Sequence, residues 1–139
     1  MAYPNKTIND GPYGSFMAKL ATADLGIYVR CKFTDPSTST PDGKPVLELA
    51  AATEPADVVT MQPIAAGAYG TVKFINCGGE VFGQVAADAA AIASGAAVYA
   101  AASGKVTGSS GGGALYLGKS TSTGVALGAI TYAPGKQTT

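Results

Sequence analysis

Residues 69–86 read YGTVKFINCGGEVFGQVA, and this stretch decides the fold class. Two runs rich in β-branched and aromatic residues, 69–75 and 80–86, flank Asn76, Cys77, Gly78 and Gly79, residue types that accept a positive φ. The spacing predicts a β-hairpin. Working outward, residues 25–33 (LGIYVRCKF) alternate Ile27, Val29, Cys31 and Phe33 with Tyr28, Arg30 and Lys32. That period of two is the pattern of a half-buried strand, with Arg30 on its polar side.

Further short strands are expected in VLELA (46–50), ADVVTM (56–61), AAVYAA (96–101), KVTG (105–108), ALYLGKS (114–120) and GVALGAITYA (124–133). Turn signals separate them about every ten residues, Ser103-Gly104 and a Ser/Thr-rich turn after Ser120 among them. DAAAIASG (88–95) has room for one helical turn before Gly95. The polar, proline-bearing residues 34–45 read as an exposed loop, and PGKQTT (134–139) as a fraying tail. No repeat of fixed period stands out. The expected fold is all-β: a small β-barrel, β-tulip or sandwich-like domain over residues 23–139.

Residues 1–22 are expected to form an extended N-terminal arm. Pro4, Gly11, Pro12 and Gly14 oppose a helix there, while Tyr3, Tyr13, Phe16 and Met17 are unusually apolar for a solvated tail. Such an arm suits lying across a neighbouring subunit, so these four side chains are the candidate partner-binding residues. The alternative is a first strand folded onto the protein's own core.

Composition narrows the function. Charged residues make up 13 % of the 139, and nine basic side chains balance nine acidic ones. Nucleic-acid binding relies on clustered Lys and Arg against phosphate, so no such partner is expected. A chain of low charge and zero net charge has little self-repulsion and tends to associate. The longest apolar stretch, residues 85–102, is mostly alanine and is interrupted by Asp88, Ser94 and Gly95, so no membrane-spanning helix is expected. The first residues have neither a basic start nor an apolar core, so no secretion signal is expected and the chain reads as made in the cytoplasm. Cys31 and Cys77 form no C-x-x-C pair, and whether they meet stays open.

The chain contains no histidine, which removes Ser-His-Asp and Cys-His catalysis and imidazole metal ligation. The carboxylates are scattered; Glu48, Glu54 and Asp57 come nearest to a cluster and read as solvated. Gly113, Gly118, Lys119 and Ser120 match G-x-x-x-x-G-K-[ST], but the intervening ALYL is a strand-like run and no helix pattern follows Ser120. No catalytic residue, cofactor, metal or small-molecule substrate is therefore expected.

Residues 67–132 resemble the tailed-phage capsid cement (decoration) proteins. The resemblance rests on GTVKFINCGGEVFGQVAADAAAIASGAAVYAAASGKVTG (70–108) and LGKSTSTGVALGAITY (117–132). They supply a strand pair, an alanine-rich segment, a glycine ahead of a V-Y strand, a short turn into K-V-T and a closing hairpin. The resemblance implies a non-enzymatic homotrimer on the outer surface of a phage head, binding the major capsid protein where shell subunits meet. The rival expectation is another virion surface-binding module, such as a fibre or adhesin domain.

Overall fold

The structure is a computed structural model and describes residues 15–20, 23–34, 46–75 and 79–138. Its first half comprises β1 (Ser15–Leu20), β2 (Arg30–Phe33), β3 (Val46–Leu49), β4 (Val58–Thr60) and β5 (Tyr69–Phe74). These five strands close into a ring in the order β1-β3-β2-β4-β5. β1 completes it, running antiparallel to β5 from Ser15↔Lys73 to Lys19↔Tyr69 and parallel to β3 at Lys19↔Val46 and Leu20↔Leu47. Closure leaves the ring without a free edge. The second half forms an open antiparallel sheet from β6 (Val81–Gln84), β7 (Ala97–Ala100), β8 (Val106–Thr107), β9 (Tyr116–Ser120) and β10 (Ala129–Thr138), in the order β6-β10-β9-β7-β8. The all-β expectation holds.

The hairpin expected across residues 69–86 does not form. β5 stays in the ring between β1 and β4, whereas β6 pairs with β10 from Val81↔Tyr132 to Gln84↔Ala129. A turn-prone sequence permits a hairpin but does not compel one; here β5 is held between β1 and β4, and β6 by β10. The hairpins β7–β8 and β9–β10 form as expected. No helix occurs over residues 88–95. Alanine's helical preference is small, and Ile92 is instead held by two backbone hydrogen bonds to Gly124, of 2.8 and 3.0 Å. The tail does not fray as expected, because β10 runs to Thr138 opposite Tyr116. Pro134 is accommodated there, since it lies beyond Tyr132, where β10 no longer pairs with β6, and at a register shift opposite Gly118.

Two cores result. Leu25, Val29, Cys31, Leu47, Val58, Ile64 and Val72 fill the ring. The second core combines Val81, Val85, Ile92, Val98, Val106, Leu117 and Ile130 from the second half with Ala50, Ala56, Val59 and Ile75 from the first. The period of two explains the division. β2 and β4 are adjacent, with Cys31↔Val58 and Arg30↔Val59 in register. Cys31 and Val58 therefore point into the ring, while Arg30 and Val59 point out of it, where the open sheet covers them.

One local unit recurs four times among the described residues. Leu25 and Ile64 form an isolated antiparallel bridge, and so do Ile92 and Gly124. Three residues after each bridge residue the backbone turns left-handed, at Tyr28 (φ 59°), Gly67 (76°), Gly95 (87°) and Leu127 (63°). Five residues after each, a strand begins, at Arg30, Tyr69, Ala97 and Ala129. Spacings of 39, 28 and 32 residues between positions 25, 64, 92 and 124 explain why no fixed period shows in the sequence.

Candidate binding surface

Of the four residues nominated for partner binding, Phe16 and Met17 lie on β1, in register with Val72 and Thr71 of β5. Residues 15–20 of the expected arm are thus a strand of the ring. Tyr3 and Tyr13 lie outside the described residues, as do most of the loop expected over 34–45 and Cys77.

The three carboxylates expected to be solvated do reach solvent, Glu48 and Asp57 exposed and Glu54 partly so, and two of them also accept hydrogen bonds. Glu54 accepts from Lys32 Nζ at 2.7 Å and from the Ala51 amide at 2.9 Å, closing the turn after β3. The lysine's hydrogen bond holds the Glu54 carboxyl below its ordinary pKa, and the carboxylate raises that of Lys32. Asp57 accepts from the Phe33 amide at 3.0 Å. Glu48 is exposed. Nothing in this set pairs two carboxylates across a cleft, and among the described residues no group of three or more Cys, Asp or Glu is placed to hold a metal ion.

Of the residues matching a phosphate-loop pattern, Gly113 ends a 3-10 turn (Gly111–Gly113) and the other three are strand residues. Gly118, Lys119 and Ser120 belong to β9, flanked by β7 and β10, and no helix follows. A Cβ on Gly118 would lie 2.0 Å from the Ala133 carbonyl oxygen, so this glycine serves strand packing. Ser120 is buried, and its hydroxyl donates to the Ser122 carbonyl in the next turn.

Cys31 is a free thiol inside the ring, and burial pushes its pKa up to about 12. It is neither exposed nor ionised enough to act as a nucleophile near neutral pH. Arg30 is the residue that periodicity misplaced. It was expected on the polar side of a strand and is instead completely buried. Its Nη2 donates to the Glu54 carbonyl at 2.7 Å, while Nε and Nη1 find no partner among the described residues. The buried Tyr132 hydroxyl also has none. Burial lowers the arginine's pKa and pushes Tyr132 up to about 12, each shift opposed by the attraction between the two groups. The alternation was read correctly, but the outside of the ring is an interior of the whole protein.

Two open grooves mark the described surface. One, of about 560 Å³, is lined largely by small residues such as Ala52, Ala87, Ala89 and Ala101, with Asp88 and Lys105 at its walls. The other, of about 440 Å³, runs between Ala91–Ala93 and Thr123–Ala129 and carries no charged side chain. Large hydrophobic side chains are exposed at Tyr69 and Phe74 on β5 and at Val125 and Leu127 beside the second groove. Phe74 also meets Phe33 edge-on, with ring centroids 6.3 Å apart. No described helix is long and apolar enough to cross a membrane. Among the described residues, these features define an all-β fold with two grooves and exposed apolar side chains.

No protein-family model matches the chain, and no curated protein matches it significantly. Among solved structures, the fold is similar to the N base of head fibre gp8.5 of bacteriophage phi29. That likeness has a TM-score of 0.66 at 13 % identity, covering 90 % of this chain and 96 % of that one. The ring and the open sheet together therefore form an architecture that occurs in a protein of a phage head fibre.

Proposed function

We propose that the protein is a non-enzymatic structural component of a phage virion that binds the outside of the head through the major capsid protein. The observation that carries this reading is the likeness of 90 % of the chain to the base of a phage head fibre. The absence of histidine and the structural engagement of Glu54, Asp57 and Ser120 agree with it. In the cement form of the reading, a homotrimer spans the joints between shell subunits. Each copy adds buried area there, and repetition over the shell makes a modest contact count many times. The same likeness favours a second form, in which the domain is the base by which a fibre attaches to the head.

Co-sedimentation of the purified protein with phage heads tests the shared core of both forms, and the temperature at which heads rupture separates them. Cement raises that temperature on binding, whereas a fibre base binds and leaves it unchanged. Protein that stays in the supernatant at saturating head concentration refutes head binding.

A further inference from the structure

The ring and the open sheet share one strand plan. In the ring, β2 pairs antiparallel with β3 and β4, β4 with β5, and β5 with β1, while β1 meets β3 in parallel. In the sheet, β7 pairs antiparallel with β8 and β9, β9 with β10, and β10 with β6. Val85, which follows β6, meets Val106 of β8 in parallel. The register agrees residue by residue. Arg30↔Val59 and Thr60↔Val72 of the ring correspond to Ala97↔Lys119 and Ser120↔Tyr132 of the sheet, and Met17↔Thr71 to Phe82↔Thr131. The bridges Leu25↔Ile64 and Ile92↔Gly124 correspond as well. The molecule is therefore two tandem copies of one five-stranded unit. Among these corresponding positions only Thr71 and Thr131 carry the same residue, so the duplication is silent in the sequence.

The two units meet head to tail. The first brings Tyr28, Arg30 and Val59, on the outer wall of β2 and β4, into the seam. The second brings β6 and the 3-10 turn at Gly104. Phe82 stacks on Tyr28 at 4.7 Å, Gln84 N–H donates to the Tyr28 carbonyl at 3.1 Å, and Gly104 N–H to the Ala50 carbonyl at 3.0 Å. In the second unit the positions of Tyr28, Arg30 and Val59 fall to Gly95, Ala97 and Lys119, and in the first unit that of Phe82 falls to Met17. The two sides of the seam are thus different faces of the unit, and one face of each kind lies outside it. On the second unit that face reaches solvent, with Gly95 and Lys119 exposed and Ala97 half-buried.

We propose that the face of the second unit at Gly95, Ala97 and Lys119 takes the β1 face of the first unit of another copy, at Met17, repeating between chains the contact that the seam makes within one. The occupant is a second copy of this chain because the seam shows the corresponding face covered by the corresponding strand. Copies of zero net charge do not repel one another. Since the two faces differ, the contact is heterologous, and contacts of that kind close into rings when the rotation permits. Three chains closed in this way are the homotrimer of the proposed function. The copy number rests on that reading, but the test needs no phage head, so the two fail separately. Met17, nominated for partner binding from the sequence, thereby gains a defined opposite face.

Sedimentation velocity over a concentration series, on the wild-type protein, Met17→Glu, Lys119→Glu and an equimolar mixture of the two variants, is the test. Each variant spoils one face and keeps the other. The expected result is a trimeric wild type and association at least about tenfold weaker in each variant alone. The mixture should recover as a dimer and nothing larger, because each mixed pair retains one sound joint. Thermal midpoints, taken where all are monomeric, check that the variants fold. If Met17→Glu proves unstable, Lys119→Glu alone decides, since that side chain is exposed. A wild type that stays monomeric or stops at a dimer overturns the proposal. So does a variant that associates like the wild type, or a mixture no more associated than its components. A closed ring of more than three chains upholds the contact and sinks the homotrimer.

Discussion

The ring and the open sheet solve the same problem differently. The ring closes on itself, and its seven-residue core, Leu25 to Val72, is drawn entirely from its own half. The open sheet's core is shared, taking Ala50, Ala56, Val59 and Ile75 from the ring's half. The ring is therefore self-contained, and the sheet depends on the ring's outer wall. Burial of Arg30 follows from the same asymmetry, since the sheet needs that wall covered even where it carries a charge.

The seam itself gives the largest expected effect. Gly104, in the short 3-10 turn Ala102–Gly104, has φ +74°, and a Cβ there would lie 2.5 Å from the Arg30 carbonyl oxygen and 2.9 Å from its amide nitrogen. Gly104→Ala should cost about 3 kcal/mol or more, because both contacts are backbone and neither can swing aside. Chemical denaturation checks this, and a loss under about 1 kcal/mol would show that the seam yields.

A matched pair of substitutions then asks how far the two halves are independent. Gly70→Ala drives a methyl to 2.2 Å from Ile64 in the ring, and Gly124→Ala drives one to 1.9 Å from Ile130 under the sheet. Each should cost about 1–3 kcal/mol as overpacking. Amide exchange should separate them. Gly124→Ala should speed exchange at Val98 and Ile130 while sparing Val58 and Val72, whereas Gly70→Ala should speed all four. Equal loss in both halves from Gly124→Ala would make the molecule one cooperative unit and end the distinction.

The smallest effect at neutral pH comes from the two buried acids, one in each core. Cys31 and Tyr132 are both pushed up to about 12, so the folded state keeps protons that the unfolded chain releases at lower pH. The unfolded state then binds fewer protons, and stability declines with rising pH. Full stability holds below the ordinary thiol range near 8.5 and is lost progressively towards pH 12. Cys31→Val should shallow the decline of thermal midpoint between pH 9 and 12 and leave the Tyr132 part in place. An unchanged slope would show that Cys31 does not titrate on unfolding.

Much of the architecture was legible in the sequence. The strand runs, the β7–β8 and β9–β10 hairpins and the failure of the phosphate-loop pattern follow from alternation and turn chemistry. Partner choice between strands was not. Residues 69–86 carry every local mark of a hairpin, yet β5 and β6 belong to different sheets, since pairing depends on strands distant in the chain. Arg30 was misplaced because alternation distinguishes two faces but not which of them meets solvent. The recurring turn was visible only where glycine marks it, in IAAGA at 64–68 and IASGA at 92–96. At Tyr28 and Leu127 the residue type points away from a positive φ, so the two turns that break the rule are those composition hides.

The pairing of β6 with β10 also has a cost during synthesis. Gln84 finds its ladder partner at Ala129, 45 residues later in the chain. At about 5–20 residues per second, that strand waits roughly 2–9 s for its neighbour to be made. During this interval Val81 and its companions are bare apolar edge, open to other nascent chains. Escape from misassembly thus depends on how fast the last fifty residues emerge, and slowing translation there would lower the soluble yield without changing a single amino acid.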